Sequence, residues 1–166
     1  MEAIEAGPYP TRSGWISRLV EVLQPVSVRA DRLGSMALFA GLSWTELEFA
    51  AGVLRETLIE RGVRMTVQGK PAGRVWLILE GEALVSADAR PLRVAGRGDM
   101  IGLLGMLREV ASPESAVAIS PIRAFETDRA GFASLAARRS IRRRLVAAEA
   151  AISAWNRRMS GAGRKS

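Results

Sequence analysis

Hydrophobic and polar positions along this chain follow a helical period at both ends and a different pattern in the middle. Apolar residues recur at helical spacing from Arg12 to Gln24 and stop at Pro25. A second helix is predicted from Ser43, where Glu46 completes a capping box, to a stop near Gly62. The two apolar stripes are Trp15, Ile16, Leu19, Val22 and Leu23, and then Leu47, Ala50, Ala51, Leu54 and Leu58. From about Asp128 to Met159 the pattern is helical again.

Between Val63 and Asp128 the chain has short apolar runs separated by Gly- and Pro-bearing turns. The runs read RMTV, RVWLILEG, EALVSA, LRVAGRG, DMIGLLGML, SAVAIS and PIRAFETD. Runs of this length, spaced roughly 8–12 residues apart, predict a small antiparallel barrel or sandwich. The chain therefore divides into a tail and helix over 1–37, a β-roll with its leading helix over 38–128, a basic helix over 129–159 and a tail over 160–166.

The composition narrows the classes of function. The 166 residues are 48% hydrophobic and 25% charged, which is typical of a globular domain. The chain has no Cys and no His, so disulfides, thiolate nucleophiles, Cys-based zinc sites and histidine bases are excluded. We expect no enzyme activity, no metal and no cofactor.

No apolar run approaches the roughly 18–20 residues that a transmembrane helix needs. The start, MEAIEAGPYP, carries two glutamates and no apolar core, unlike a secretory signal. We expect a cytoplasmic protein.

The positive charge is concentrated at the C-terminal end. The net charge is +7, and from Arg129 to Ser166 ten basic residues accompany one acid, Glu149. The rest of the chain is close to neutral. This uneven distribution of charge gives information about binding partners and not about the fold.

The order of elements, with particular residues, resembles the cyclic-nucleotide-binding domain family, the sensor fold of the catabolite activator protein and of kinase regulatory subunits. The similar segments are Leu38–Ala51, Val67–Val85 with Gly69 and Gly81 at turns, Gly96–Leu107, and Ser112–Ile119. The resemblance covers about Leu38 to Trp155. It implies an α+β fold, with an antiparallel β-roll of the double-stranded β-helix or jelly-roll type between N-terminal helices and one long C-terminal helix.

The resemblance places the family's ligand pocket on six residues, and two of them depart from its pattern. These positions are Gly102, Leu103, Leu104, Glu114, Ser115 and Ala116. The family glutamate that accepts the ribose hydroxyl falls on Leu103, and the family arginine that pairs with the cyclic phosphate falls on Glu114. Leucine cannot accept a hydrogen bond and a carboxylate repels a phosphodiester, so we expect ordinary cAMP and cGMP binding to be lost. Arg108 is the basic side chain that we expect nearest to this pocket.

The C-terminal helix has an apolar seam at heptad spacing. The seam consists of Ile141, Leu145, Ala148, Ile152, Trp155 and Met159. It either packs on the roll of its own chain or pairs with a second copy in a homodimer, as the corresponding family helix often does.

The same helix carries a dense block of arginines without interleaved carboxylates. The candidate partner-binding residues are Arg138, Arg139, Arg142, Arg143, Arg144, Arg157 and Arg158. Charge runs are usually solvated helix faces, but this block suits an acidic protein surface, RNA or another anionic partner. Only seven residues follow Met159, so we expect no helix-turn-helix domain and no sequence-specific DNA reading.

The sequence therefore predicts a regulatory or interaction module without enzyme activity, which contacts a partner through its basic C-terminal helix. Two alternatives remain open. The roll pocket could sense a cyclic nucleotide or another small ligand, or the arginines could dock the protein on RNA.

Overall fold

The computed structural model describes residues 24–162 of the chain. They form an α+β domain with five helices and eight strands, in the order α1 (Val26–Gly34), α2 (Trp44–Val53), β1 (Arg55–Ile59), β2 (Arg64–Thr66), β3 (Arg74–Glu80), β4 (Ala83–Ala87), β5 (Arg90–Ala95), β6 (Met100–Ile101), α3 (Leu103–Arg108), β7 (Ser115–Ala118), β8 (Ile122–Asp128), α4 (Arg129–Ala137) and α5 (Arg139–Ala162). The helix predicted over Arg12–Gln24 lies, apart from its last residue, outside the described residues.

The strands form two four-stranded sheets that make up the β-roll. Their strand orders are β1-β8-β3-β6 and β2-β7-β4-β5, and every neighbouring pair is antiparallel. The roll and its flanking helices confirm the predicted fold class.

The core consists of two apolar clusters on either side of the first sheet. One lies inside the roll and is built largely from small and branched side chains, including Val85, Ile101 and Ala116. The other lies between the first sheet and the helices, and it contains Phe125 from β8 together with Ile141 and Leu145 from α5. The long helix is therefore part of the domain core rather than an appendage.

The capping box predicts the start of α2 correctly. The Ser43 hydroxyl accepts from the Glu46 backbone N–H, and the Glu46 carboxylate accepts from the Ser43 backbone N–H. Its predicted extension to Gly62 is wrong, because α2 ends at Val53 and residues 55–59 form strand β1. Pairing of this segment with β8, from Arg55 opposite Glu126 to Ile59 opposite Ile122, overrides its weak helical pattern.

The C-terminal helical region is interrupted at one residue. Arg138 has an extended conformation, with ψ of 115°, and separates α4 from α5. The prediction of a single helix from 129 is therefore wrong at this point, although α5 alone spans 24 residues. After the break, α5 packs against α3 and β5 as well as α4.

Candidate ligand pocket and arginine face

The segment predicted as one side of the pocket is a tight turn followed by a short helix. Gly102 has a φ of +85°, and a Cβ at this position would lie 2.5 Å from the carbonyl oxygen of Arg74. Only glycine fits there, because both the backbone conformation and the space exclude a side chain. The next residues, Leu103 and Leu104, are 1% and 4% exposed. At the position where the resemblance implies a ribose contact, the chain has an apolar side chain packed in the core.

The second side of the pocket is built around Glu114, which directly precedes β7. Its backbone carbonyl accepts hydrogen bonds from the Ser112 hydroxyl at 2.6 Å and the Thr66 hydroxyl at 3.1 Å. These residues are three of the four buried polar residues in the described part of the chain. Ser115 accepts a hydrogen bond from the backbone N–H of Gln68, and Ala116 is fully buried. The hydrogen bonds fix the backbone from which the Glu114 side chain projects.

The carboxylate of Glu114 has two partners from distant parts of the chain. Arg93 Nη2 donates to Oε1 at 3.1 Å, and Asn156 Nδ2 donates to Oε2 at 2.8 Å. We call these three residues the Glu114 cluster. The side chains of Arg93 and Glu114 are 12% and 5% exposed, so the ion pair is largely desolvated. A charge-assisted pair in such surroundings is stronger than one at the surface, and breaking it is costly.

The cluster corrects the expectation that Arg108 is the nearest basic side chain. The guanidinium that reaches Glu114 belongs to Arg93 in β5, which pairs with Val85 of β4. Side chains alternate between the two faces of a strand, and this alternation along β5 could have predicted the position of Arg93. Arg93 lies two residues before the fully buried Ala95 and therefore points to the same face.

Arg108 instead ties α3 to α5. Its guanidinium is paired with Glu149 and donates to the Ser153 hydroxyl at 3.1 Å, while Ser153 donates to Glu149 at 2.8 Å. Together with Asn156, these contacts attach successive turns of α5 to α3 and to the residue that precedes β7. The helix is thus held over the pocket by side chains of the chain itself.

A further contact joins the first turn of α5 to α2. The Ser140 hydroxyl donates to Glu46, whose carboxylate also accepts from the backbone N–H and the hydroxyl of Ser43. These hydrogen bonds hold the pKa of Glu46 below its usual value of 4.5, and the bond from Ser140 has the largest effect.

The heptad seam divides into a buried and an exposed half. Ile141 and Leu145 are each 1% exposed in the core of their own chain, whereas Trp155 and Met159 are 45% and 38% exposed. Ala148 and Ile152 are partly buried against the same core. The buried half packs on its own domain, so a second copy cannot use the whole seam.

The seven candidate arginines also divide into two groups. Arg138 lies over the ring of Phe49, 4.2 Å from its centroid, and Arg144 donates to the Leu38 carbonyl at 3.2 Å. The other five are exposed and make no ion pair or side-chain hydrogen bond with the described residues. We call them the arginine face, which consists of Arg139, Arg142, Arg143, Arg157 and Arg158.

An open surface cavity of about 600 Å³ lies beside the end of α5. It is bounded by the β4–β5 turn, including Asp88 and Arg90, and by Met159 and Ser160. A second cavity of about 300 Å³ is lined by Arg55, Arg74, Glu126 and their neighbours.

Among residues 24–162, no group of three or more His, Cys, Asp or Glu side chains could hold a metal ion. No helix in this part of the chain is both long enough and apolar enough to cross a membrane.

Comparison with known proteins gives one consistent match. The sequence profile described as cyclic nucleotide-binding domain matches residues 57–139. No curated protein sequence matches the chain at a significant level.

Solved structures extend this match to the fold. A cAMP-binding acyltransferase from Mycobacterium smegmatis is 30% identical over 73% of this chain, with a TM-score of 0.56. The regulatory domain of Toxoplasma gondii protein kinase A with cAMP is 20% identical over 76%, with a TM-score of 0.66. The regulatory subunit of a cAMP-independent protein kinase A from Trypanosoma brucei is 19% identical over 69%, with a TM-score of 0.57. This chain spans 39%, 49% and 48% of those three chains respectively.

Proposed function

The chain belongs to the cyclic nucleotide-binding domain family, and from this premise we propose that it is a regulatory or interaction module without enzyme activity that has lost ordinary binding of cAMP and cGMP. Its roll serves as a scaffold, and the arginine face of α5 contacts an anionic partner. The fold also occurs where cAMP is not the signal, since the Trypanosoma brucei structure is described as the regulatory subunit of a cAMP-independent protein kinase A.

The single observation that carries the loss of nucleotide binding is the Glu114 cluster. The resemblance puts a phosphate-binding arginine at this position, and here a buried carboxylate stands in its place. Losing one ionic hydrogen bond costs about 1.5–3 kcal/mol, and Leu103 removes the expected ribose acceptor as well. The two losses together reduce affinity by more than about a hundredfold, before any repulsion from the carboxylate is counted.

Arg93 does not restore the missing phosphate contact, because its guanidinium is already paired with Glu114. An incoming phosphate would have to displace the carboxylate and leave it buried without its cation. Removing one partner from a buried ion pair typically costs about 3–5 kcal/mol. The cluster therefore competes directly with a nucleotide phosphate.

The attachment of α5 to the rest of the domain supports a role that does not depend on a ligand. Asn156 holds one turn of the helix to Glu114, and Arg108 holds the preceding turns through Glu149 and Ser153. These bonds join the helix to the roll through groups of the chain itself. We therefore propose that the domain presents the arginine face constantly.

The absence of His and Cys from the sequence supports a function other than catalysis. The 30% identity with the mycobacterial protein covers only 39% of that enzyme, so the enzyme activity in its description is not carried over.

Isothermal titration calorimetry tests the loss of nucleotide binding. The purified chain should give no saturable heat with cAMP or cGMP at millimolar concentration, while circular dichroism confirms that it is folded. A dissociation constant below about 10 µM, or roughly −7 kcal/mol, would overturn the proposal. The matched variant is Glu114→Arg, which returns a guanidinium to this position and should give saturable heat with cAMP where the unmodified chain gives none.

A second candidate function is a sensor for a small ligand. The identity with a protein described as cAMP-binding favours it, as does the open cavity beside the end of α5. A thermal-shift screen with nucleotides and small metabolites separates the two functions, because a sensor should be stabilised by one ligand class in a concentration-dependent way.

A further inference from the structure

The arginine face consists of two groups of arginines that lie far apart along α5. Arg139, Arg142 and Arg143 form one group near the start of α5, and Arg157 and Arg158 form a second group near its end. Arg157 lies fourteen positions after Arg143, which corresponds to about 21 Å along a helix that rises 1.5 Å per residue. The helix thus presents two positive ends and a long interval between them.

The exposed interval between the two groups carries no charge. Val146 is 45% exposed, and Ala147, Ala150 and Ala151 are exposed beside it. The interval contains two charged residues, and both are partly buried with partners of their own. Arg144 donates to the Leu38 carbonyl, and Glu149 faces α3 and is paired with Arg108. The charged ends and the apolar middle form a single exposed face on a helix that is anchored to the domain core through Ile141 and Leu145.

We propose that this face binds an α-helix of a partner protein that is acidic at both ends and apolar in its middle. The inference rests on the proposed function and names the partner of the arginine face. Carboxylates at each end of such a helix would meet the two arginine groups, and apolar side chains between them would cover Val146. Side chains as small as alanine allow two helices to approach at the short end of the usual 8–10 Å interaxial distance.

The uncharged interval disfavours a nucleic acid as the occupant. A nucleic-acid strand carries one phosphate about every 3.4 Å in a duplex, so roughly six phosphates of one strand would lie along 21 Å without an exposed cation beneath them. Phosphates are charged and polar, so a nucleic acid that covers Val146 would bury no apolar surface of its own. A strand that binds along α5 would be matched to this helix only at its ends.

The charges also disfavour a second copy of this chain on the same face. In a parallel pair each arginine group would meet its own counterpart. In an antiparallel pair Arg139, Arg142 and Arg143 would meet Arg157 and Arg158. Like charges oppose each other in both arrangements, so the complementary partner is acidic at both ends.

The experiment uses the full chain and three labelled probes in fluorescence anisotropy. The first probe is a 22-residue helical peptide with three Glu at each end and Leu and Ala between them. The second has Lys in place of every Glu, and the third is a 20-nucleotide poly(U) RNA. The acidic peptide should bind saturably at 50 mM salt and at least tenfold more tightly than either other probe, and its binding should weaken as salt rises.

Two variants separate the apolar interval from the charged ends. Val146→Gln combined with Ala150→Gln should weaken the acidic peptide at least fivefold and leave poly(U) unchanged, because no charge is altered. Ala133→Gln, at an exposed position of α4, is the matched control and should change neither. Arg139→Gln with Arg142→Gln and Arg143→Gln should abolish binding of every anionic probe.

The results distinguish failure of this inference from failure of the proposed function. If poly(U) binds more tightly than the acidic peptide and the Val146 and Ala150 variant binds both like the unmodified chain, the partner is a nucleic acid and the acidic helix is refuted. If neither anionic probe binds, the arginine face is not a contact surface, and both this inference and that part of the proposed function are overturned.

Discussion

Replacing Glu114 by alanine removes the carboxylate to which both Arg93 and Asn156 donate. The Arg93 side chain is only 12% exposed, so the variant leaves a cation largely out of water with no counter-charge. Breaking a buried pair in this way costs about 3–5 kcal/mol. A domain of this size is stable by about 5–15 kcal/mol in total, and each kcal/mol corresponds to about 2–4 °C in melting temperature. We therefore expect the melting temperature to fall by about 10 °C.

Urea unfolding of a double-mutant cycle assigns this loss to the ion pair. Glu114→Leu combined with Arg93→Met should be more stable than Glu114→Leu alone, because two apolar side chains then occupy the space without an unpaired charge. Glu48→Ala, which removes an exposed carboxylate of α2, should stay within about 0.5 kcal/mol of the unmodified chain.

Formate provides an independent readout of the same cluster. It should occupy the place of the missing carboxylate in Glu114→Ala and raise its melting temperature at 50–100 mM, while chloride at equal ionic strength should not. The reasoning is refuted if Glu114→Ala is as stable as Glu48→Ala and the coupling between positions 93 and 114 is close to zero.

Three further predictions concern the helices around the pocket. Leu145→Glu should destabilise the domain by about 4 kcal/mol or more in urea, because it places a charge at a position that is 1% exposed, and recovery of a stable folded monomer would instead show that Leu145 serves a dimer interface. Glu46→Gln should flatten the loss of stability in acid below about pH 4.5. The lowered pKa of Glu46 means that its contribution is complete above about 4.5 and is lost as the pH falls through the folded-state value, and an unchanged acid limb would exclude this role. The triple replacement of Arg139, Arg142 and Arg143 by Gln should leave the melting temperature unchanged or higher, whereas Arg144→Gln should lower it by removing the bond to the Leu38 carbonyl, and the reverse ranking would mean that the exposed arginines stabilise the domain.

Several features depend only on residues that are close together in the sequence, and they could therefore be predicted from it. The capping box of Ser43 and Glu46 needs only residues three apart, so the start of α2 was predictable. Gly69 and Gly81 have φ values of +82° and +89°, which confirms the tight turns predicted there. The alternation of short apolar runs predicted the roll, since each run buries one face of a strand whatever its partner is.

Pairings between distant segments decided the rest. The residues from Arg55 to Ile59 have an ambiguous pattern, and only the neighbouring strand β8 makes them a strand. Glu114 was recognised as a departure from the family pattern, but its cation is 21 residues away in β5 and its amide partner is 42 residues away in α5. A sequence pattern can show that a carboxylate is unusual, because that depends on residue identity. Whether the carboxylate is paired depends on which strand and helix faces meet, and only the packed tertiary structure determines that.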